Sequence, residues 1–108
     1  MITIDDFKKV EIKAGKIMSA EKVGETDRLL RLIVDFAEEA PRQIISGIAL
    51  HFPDASVLVG KTCTFITNLE PRMIKGLESN GMLLALSTDT EFSLLEPSTP
   101  VSPGTSAK

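Results

Sequence analysis

The chain has 108 residues, of which 43% are hydrophobic and 25% are charged, a composition typical of one soluble globular domain with a small core. The net charge is −3, with one histidine, His51, and one cysteine, Cys63, which excludes an internal disulfide and the usual metal-ligand spacings. Since the sequence has no apolar run of membrane-spanning length and no signal-peptide stretch, we expect a cytoplasmic protein without membrane contact.

The first predicted elements are a capped turn and a long strand. Thr3 or Asp5 can accept hydrogen bonds from the exposed backbone amides of a short turn over residues 3–7. A strand follows over about residues 10–23, and its apolar positions change parity at Gly15. A β-bulge at Gly15 would explain this change and would bend the strand, as small barrels require.

The apolar segments that follow predict further strands and one helix. These strands cover residues 28–36, 42–47, 61–69 and 82–87, and a short sixth strand would cover residues 92–95. The helix covers residues 49–60, where Asp54 can cap it and Gly60 can close it. Short strands with one helix between the third and the fourth predict an all-β fold, namely a closed five-stranded barrel of the OB type.

The composition changes after Glu96. Three of the six prolines lie there, namely Pro97, Pro100 and Pro103. Prolines favour an extended segment that cannot join a central ladder. We therefore expect residues 97–108 to be either a loose tail or an extended strap over the surface, within a single domain of residues 1–108.

The segment that says most about function is residues 68–84, NLEPRMIKGLESNGMLL. Punctuated by prolines and glycines, it carries five side chains that can donate hydrogen bonds, Asn68, Arg72, Lys75, Ser79 and Asn80. A loop anchored by strands holds such donors in fixed directions, and these donors suit phosphate, sugar and base edges. A purely structural hairpin is the alternative, since Asn80-Gly81 is a strong hairpin signal and Lys75-Gly76 is an ordinary turn pair.

Residues that could support catalysis are few. A serine triad would depend on His51 as its only base, and the sequence has neither a Walker A loop nor a dinucleotide fingerprint. Trp and Tyr are absent, and the five phenylalanines mostly occupy apolar positions, which disfavours single-strand binding on stacked aromatic rings. We expect a non-enzymatic protein without cofactor or metal, which would read the shape of a folded RNA if it binds RNA.

The charged residues are unevenly distributed along the chain. From Lys8 to Arg31 there are seven basic and four acidic residues, whereas from Asp35 onward there are five basic and nine acidic ones. A basic face on an acidic body could attract phosphates locally. An ordinary solvated surface of mixed charge is the other interpretation.

Several segments together resemble one family. Besides residues 68–84, they are Ile4 to Phe7, Gly15 to Ile17, Asp27 to Leu30, Arg42 to Ile48 and Val59 to Lys61. Over nearly its whole length the chain resembles the tRNA-binding OB domain found at the C-terminus of methionyl-tRNA synthetases. Where this domain is a separate chain, it is called the beta subunit of the synthetase. The same domain occurs in free-standing structure-specific tRNA-binding proteins and in endothelial monocyte-activating polypeptide II-like domains.

The resemblance implies an OB fold, a homodimer, and recognition of the outer corner of L-shaped tRNA by shape, with a methionyl-tRNA synthetase catalytic subunit as a further partner. It assigns eight residues to the tRNA-binding motif or its edge: Lys16, Lys61, Asn68, Arg72, Lys75, Ser79, Asn80 and Met82. A self-complementary dimer surface would use Ile2, Ile4, Phe7, Pro97, Pro100 and Pro103. The alternative is a homodimeric peptide-binding chaperone of the related secretion-chaperone branch.

Overall fold

The computed structural model describes residues 1–24 and 26–108. Its strands are β1 (Ile12–Lys22), β2 (Leu30–Asp35), β3 (Arg42–Ser46), β4 (Thr62–Ile66), β5 (Arg72–Ile74), β6 (Leu77–Ser79), β7 (Met82–Leu83), β8 (Ala85–Ser87) and β9 (Phe92–Leu94). One α-helix, α1 (Ile4–Phe7), precedes them, and two 3₁₀ turns, Ala49–His51 and Ala55–Leu58, connect β3 to β4.

The main sheet is antiparallel and has the spatial order β3-β2-β1-β4-β7, while β5 pairs with β6 and β8 with β9. The end of β6 closes most of the remaining gap against β3. There the Asn80 amide donates to the Gln43 carbonyl at 2.8 Å, and the Ile45 amide donates to Ser79 Oγ at 2.9 Å. The predicted all-β fold with an OB-type five-stranded barrel is therefore confirmed.

The barrel core follows from the alternation of side chains along β2. Leu30, Leu32 and Val34 are fully buried, whereas the residues between them are only half-buried, as expected for a strand with one face on the core. Phe36, which directly follows β2, and residues of the other strands and the second 3₁₀ turn complete this core, namely Ile17, Ile44, Leu58, Cys63 and Phe65. Burial raises the pKa of the Cys63 thiol to about 11, so the thiol is protonated at neutral pH.

The predicted bulge at Gly15 is wrong in its position. The register of β1 against β2 shifts between Ile17 and Ser19. Gly15 has a packing role instead, because a Cβ at this position would lie 2.5 Å from Phe36 Cε1 and 2.6 Å from Val34 Cγ1. The change of parity arises because Gly15 and Ile17 face the core, while Ala14 lies on the opposite face of the strand.

The single α-helix predicted over residues 49–60 is also wrong, because this segment forms the two separate 3₁₀ turns. Proline disfavours a helical conformation at the residue before it, and Phe52, which precedes Pro53, has φ −134° and ψ 76°. The predicted cap is confirmed, because Asp54 accepts a hydrogen bond from the Ser56 amide at 3.1 Å. The segment therefore forms two short helical turns in place of one continuous helix.

The amino terminus forms a short capped helix, whereas the C-terminal segment is held against β1. Thr3 caps α1 in a reciprocal capping box with Asp6. At the other end, the Gly104 amide donates to the Ala14 carbonyl, and the Ala14 amide donates to the Thr105 carbonyl, each at 2.8 Å. The C-terminal segment is thus a strap that pairs with β1 after its last proline. Across the described ranges, we find no helix long and apolar enough to cross a membrane.

Candidate nucleic-acid interface

Residues 68–84 contain a regular β-hairpin, β5–β6, in the segment for which the sequence predicts a binding loop with a structural hairpin as the alternative. The two-residue turn lies at Lys75 and Gly76, whose φ angles are 51° and 80°, and Ile74 pairs with Leu77 across it. Two consecutive positive φ values are required by a type I′ turn, the turn that matches strand twist. The hairpin therefore projects Lys75 at its tip.

Asn80-Gly81, the stronger hairpin signal in the sequence, is not the turn of this hairpin. It lies where the chain passes from β6 to β7. Gly81 has φ +146°, and a Cβ there would lie 3.0 Å from Ile44 Cδ1 and 3.1 Å from the Ile66 carbonyl oxygen. Glycine is thus needed at position 81 because the backbone passes close to the barrel.

The register of the hairpin decides which side chains face the barrel. Arg72 is opposite Ser79, and Ser79 is only 2% exposed, so Arg72 shares the barrel side of the hairpin. Met73 and Glu78 form the opposite pair, and Met73 is 69% exposed on the outer side. Arg72 is itself exposed, so its guanidinium remains accessible at the base of the hairpin.

The hairpin tip and the β1–β2 loop face each other across a cleft of about 800 Å³. Its lining comprises Val23, Thr26, Asp27, Arg28 and Lys75. In OB barrels, the loops between strands one and two and between strands four and five are those that bind oligonucleotides and oligosaccharides. Arg28 is a candidate contact that the sequence prediction did not include, although it follows a Thr-Asp turn signal.

The outer face of β2 and β3 carries a connected set of polar side chains. Arg31 donates to Glu21 Oε1 through Nη1 and to Gln43 Oε1 through Nε, both at 2.6 Å. Gln43 in turn donates to the Glu78 carbonyl on β6 at 2.9 Å. Stacking of bases would need aromatic rings at this face, whereas the network offers hydrogen-bonding groups that are largely satisfied within the protein.

Two of the predicted RNA contacts are already used inside the protein. The Asn68 amide accepts from the Glu11 amide at 2.8 Å and donates to the Lys9 carbonyl at 2.7 Å. Ser79 Oγ accepts from Ile45 and donates to the Gly81 carbonyl at 3.3 Å. These side chains hold the hairpin on the barrel, so we do not count them among the groups offered to a ligand.

The other predicted contacts lie away from the cleft or at its edge. Lys61 Nζ is 3.0 Å from Glu96 Oε1 and lines a second pocket with His51 and Phe92, not the cleft of Lys75. Lys16 is exposed on β1. Asn80 is half-buried beside β3, and Met82, 40% exposed, pairs with Ile66 on β4. The structure thus brings together only part of the predicted set.

Of the residues predicted for a dimer surface, the three at the amino-terminal end are exposed. Ile2, Ile4 and Phe7 are 71%, 66% and 41% exposed, although all three are apolar. Asn68 ties the segment after α1 to the end of β4. In the strap, Pro97 and Pro103 are half-buried and Pro100 is exposed.

The chain matches proteins of known family and structure. A family model described as "Putative tRNA binding domain" matches residues 12–106. The methionine–tRNA ligase of Methanoregula boonei is 52% identical over 106 residues, which are 97% of this chain and 15% of the ligase. The crystal structure of a MetRS-related protein from Pyrococcus horikoshii gives a TM-score of 0.92 at 36% identity, covering 100% of this chain and 98% of that one.

A further solved structure, the CsaA chaperone of Bacillus anthracis, gives a TM-score of 0.88 at 23% identity, covering 100% of this chain and 99% of that one. At that identity the likeness shows the fold alone. The chain spans about 15% of the length of the ligases that it matches. By the family model and the ligase identity, this chain belongs to the tRNA-binding domain family and is homologous to the C-terminal domain of methionyl-tRNA synthetases and to free-standing MetRS-related proteins.

Proposed function

We propose that this chain is a non-catalytic module that binds folded tRNA through the cleft between the β1–β2 loop and the β5–β6 hairpin. The observation that carries the proposal is that Arg28 and Lys75, one from each loop, line one cleft. Two cations that face a common groove can neutralise neighbouring phosphates of an RNA backbone. Arg72, exposed at the base of the hairpin, extends this cationic surface.

The other residues predicted to bind tRNA have different roles in this site. Lys16 and Lys61 are peripheral phosphate contacts, and Lys61 must first release Glu96. Asn80 and Met82 lie at the edge of the site, while Asn68 and Ser79 support it from within. Because phosphates and shape carry no base sequence, we propose that the module recognises the outer corner of tRNA without reading the anticodon.

The exposed apolar residues favour a homodimer as part of the same proposal. Ile2, Ile4 and Phe7 project from one short segment before β1, and the C-terminal strap pairs with β1 after its last proline. A two-fold contact would bury these side chains in a self-complementary surface and would place two clefts on one particle. Sedimentation at micromolar concentration should give a dimer, and a monomer at that concentration would refute this part.

The synthetase relatives favour a cytoplasmic role beside aminoacylation. We propose that the module raises the tRNA affinity of a methionyl-tRNA synthetase catalytic subunit, either covalently attached to it or as a separate partner. Adding the chain to such a catalytic subunit should lower the KM for tRNA and leave kcat nearly unchanged, because added binding energy acts equally on ground and transition states. A change in kcat alone would contradict this role.

The direct experiment measures binding of bulk folded tRNA at low salt, with heat-denatured tRNA and single-stranded RNA as matched ligands. We expect folded tRNA to bind best and an anticodon change to leave the affinity unaltered. The peptide-binding alternative makes a different prediction, namely suppression of client aggregation that survives Arg72→Ala combined with Lys75→Ala. Undetectable binding to any tRNA, together with that suppression, would replace the proposed function with the chaperone function.

A further inference from the structure

Arg42 bonds to both ends of the hairpin segment. Its Nη1 donates to the Thr67 carbonyl at 2.6 Å and to the Asn80 carbonyl at 3.3 Å. Thr67 directly follows β4, and Asn80 directly follows β6, so the whole of residues 68–79 lies between the two carbonyls. One guanidinium nitrogen therefore joins the place where the chain leaves the barrel to the place where it returns.

The guanidinium is itself held from the other side. Glu38 accepts from Arg42 Nε at 2.8 Å and from Nη2 at 2.7 Å, a bidentate pair that fixes the plane of the group. The Phe36 ring lies beneath it, with the ring centroid 5.4 Å from Arg42 Cζ. The Arg42 side chain is only 25% exposed. Its charge therefore interacts with groups of the protein itself and does not face the cleft.

The neighbouring contacts make this junction stiff. The Thr67 hydroxyl donates to Glu11 Oε1 at 2.6 Å, and the next residue, Asn68, bonds to the backbone on either side of Val10. On the return side, Ser79 accepts from the Ile45 amide and the Asn80 backbone amide donates to the Gln43 carbonyl, both on β3. Within this group, and among the residues that the structure describes, only the Arg42 side chain donates hydrogen bonds to both flanks.

We propose that Arg42 is a positioning residue for RNA binding, which holds the β5–β6 hairpin so that Lys75 and Arg72 are aimed before RNA arrives. The inference rests on the proposed function and deepens it. A preorganised loop loses less conformational freedom on binding, and this saving appears as affinity. Arg42 contributes to affinity without touching a phosphate, and this distinguishes it from Arg28, Arg72 and Lys75.

The salt dependence of tRNA binding separates positioning from contact. Removing a phosphate contact lowers the slope of log K against log salt by about 0.7 to 0.9, whereas loss of a positioning residue should weaken binding with the slope unchanged. For Arg42→Met in the full chain we expect about a tenfold loss of affinity for bulk tRNA. Glu38→Gln is the matched control, since it weakens the ion pair but leaves both carbonyl bonds, and its loss should be smaller.

Amide hydrogen exchange provides the second readout. In Arg42→Met, exchange at residues 72–79 should accelerate more than exchange in β1, β2 and β4, because only the hairpin loses its clamp. If Arg42→Met does not fold, Arg42→Lys serves in its place, because lysine keeps the charge and cannot bond to Glu38 and both carbonyls together. Its expected result is the same, with a smaller effect.

Three results would overturn the inference. A slope lowered by about one unit would make Arg42 a phosphate contact, and uniformly faster exchange would make it an ordinary stabilising residue. Unchanged affinity with unchanged hairpin exchange would show that it clamps nothing. If wild-type protein fails to bind tRNA while the exchange prediction holds, the proposed function is lost, whereas the clamp on the hairpin stands.

Discussion

Arg28 and Lys75 line the same cleft although they lie on loops far apart in the sequence. The barrel brings them together, because β6 returns along the edge of β3 while the β1–β2 loop emerges at the same end. Asp27 also lines the cleft and reduces its positive charge. This arrangement suits a modest number of phosphate contacts, in keeping with a chain whose net charge is −3.

The two cations of the cleft should each contribute to the salt dependence of tRNA binding. We expect Arg28→Gln and Lys75→Asn each to lower the slope by about 0.7 to 0.9 and to weaken binding severalfold. Asparagine is chosen at position 75 because it tolerates the positive φ of this turn. Lys108→Ala removes a charge from the chain end and is the control. An equal effect in Lys108→Ala would mean that only net charge matters.

Arg72→Ala tests the base of the hairpin. Arg72 is exposed, and the side chain that it faces across the hairpin, Ser79, bonds elsewhere. We therefore expect weaker tRNA binding with a melting temperature within about 2 °C of wild type, since exposed substitutions rarely change stability much. A melting temperature lower by many degrees would show that Arg72 supports the fold.

Asn68→Ala should behave in the opposite way. It removes both amide bonds to the backbone of Lys9 and Glu11 and should lower the free energy of unfolding by about 1–3 kcal/mol. The salt slope of tRNA binding should stay unchanged. Chemical denaturation measures the first quantity and titration at several salt concentrations the second. A lower slope with unchanged stability would restore Asn68 to the set of RNA contacts.

Acid should loosen the base of the hairpin. The Thr67 hydroxyl holds the pKa of Glu11 below its ordinary value of 4.5, and the Arg42 guanidinium does the same for Glu38. A lowered folded-state pKa means that the stabilisation is complete above pH 4.5 and is lost as the pH falls through the lowered value. The difference in melting temperature between wild type and Glu38→Gln should therefore shrink below pH 4.5. A constant difference down to pH 3 would contradict this linkage.

The sequence is sufficient for the parts of the fold that depend on local pattern. Strict alternation in β2 identifies its buried face, and Thr3 and Asp54 are capping residues by type and position. Gly15 shows the limit of such reasoning. A glycine where parity changes indicates a bulge, but its actual reason is the Phe36 ring, which packs on it only after β1 and β2 pair.

The candidate site was likewise only partly predictable from the sequence. Arg72 and Lys75 are identifiable because long cations between turn residues are typical of a binding segment. The internal role of Asn68 could not be predicted, because its partners, Lys9 and Glu11, approach it only when the barrel closes. The role of Arg42 could not be predicted for a similar reason, because its position in a strand does not indicate which distant carbonyls its side chain will contact.

If the two loops form one cationic cleft for tRNA phosphates, removing one cation from each loop should lower the salt dependence of tRNA binding. The most direct test measures tRNA affinity from low to moderate salt for wild type and for Arg28→Gln combined with Lys75→Asn. We predict a wild-type slope of a few units and a double-variant slope smaller by about 1.4 to 1.8, at an unchanged melting temperature. A double variant that binds with the wild-type slope would contradict the assignment of this cleft.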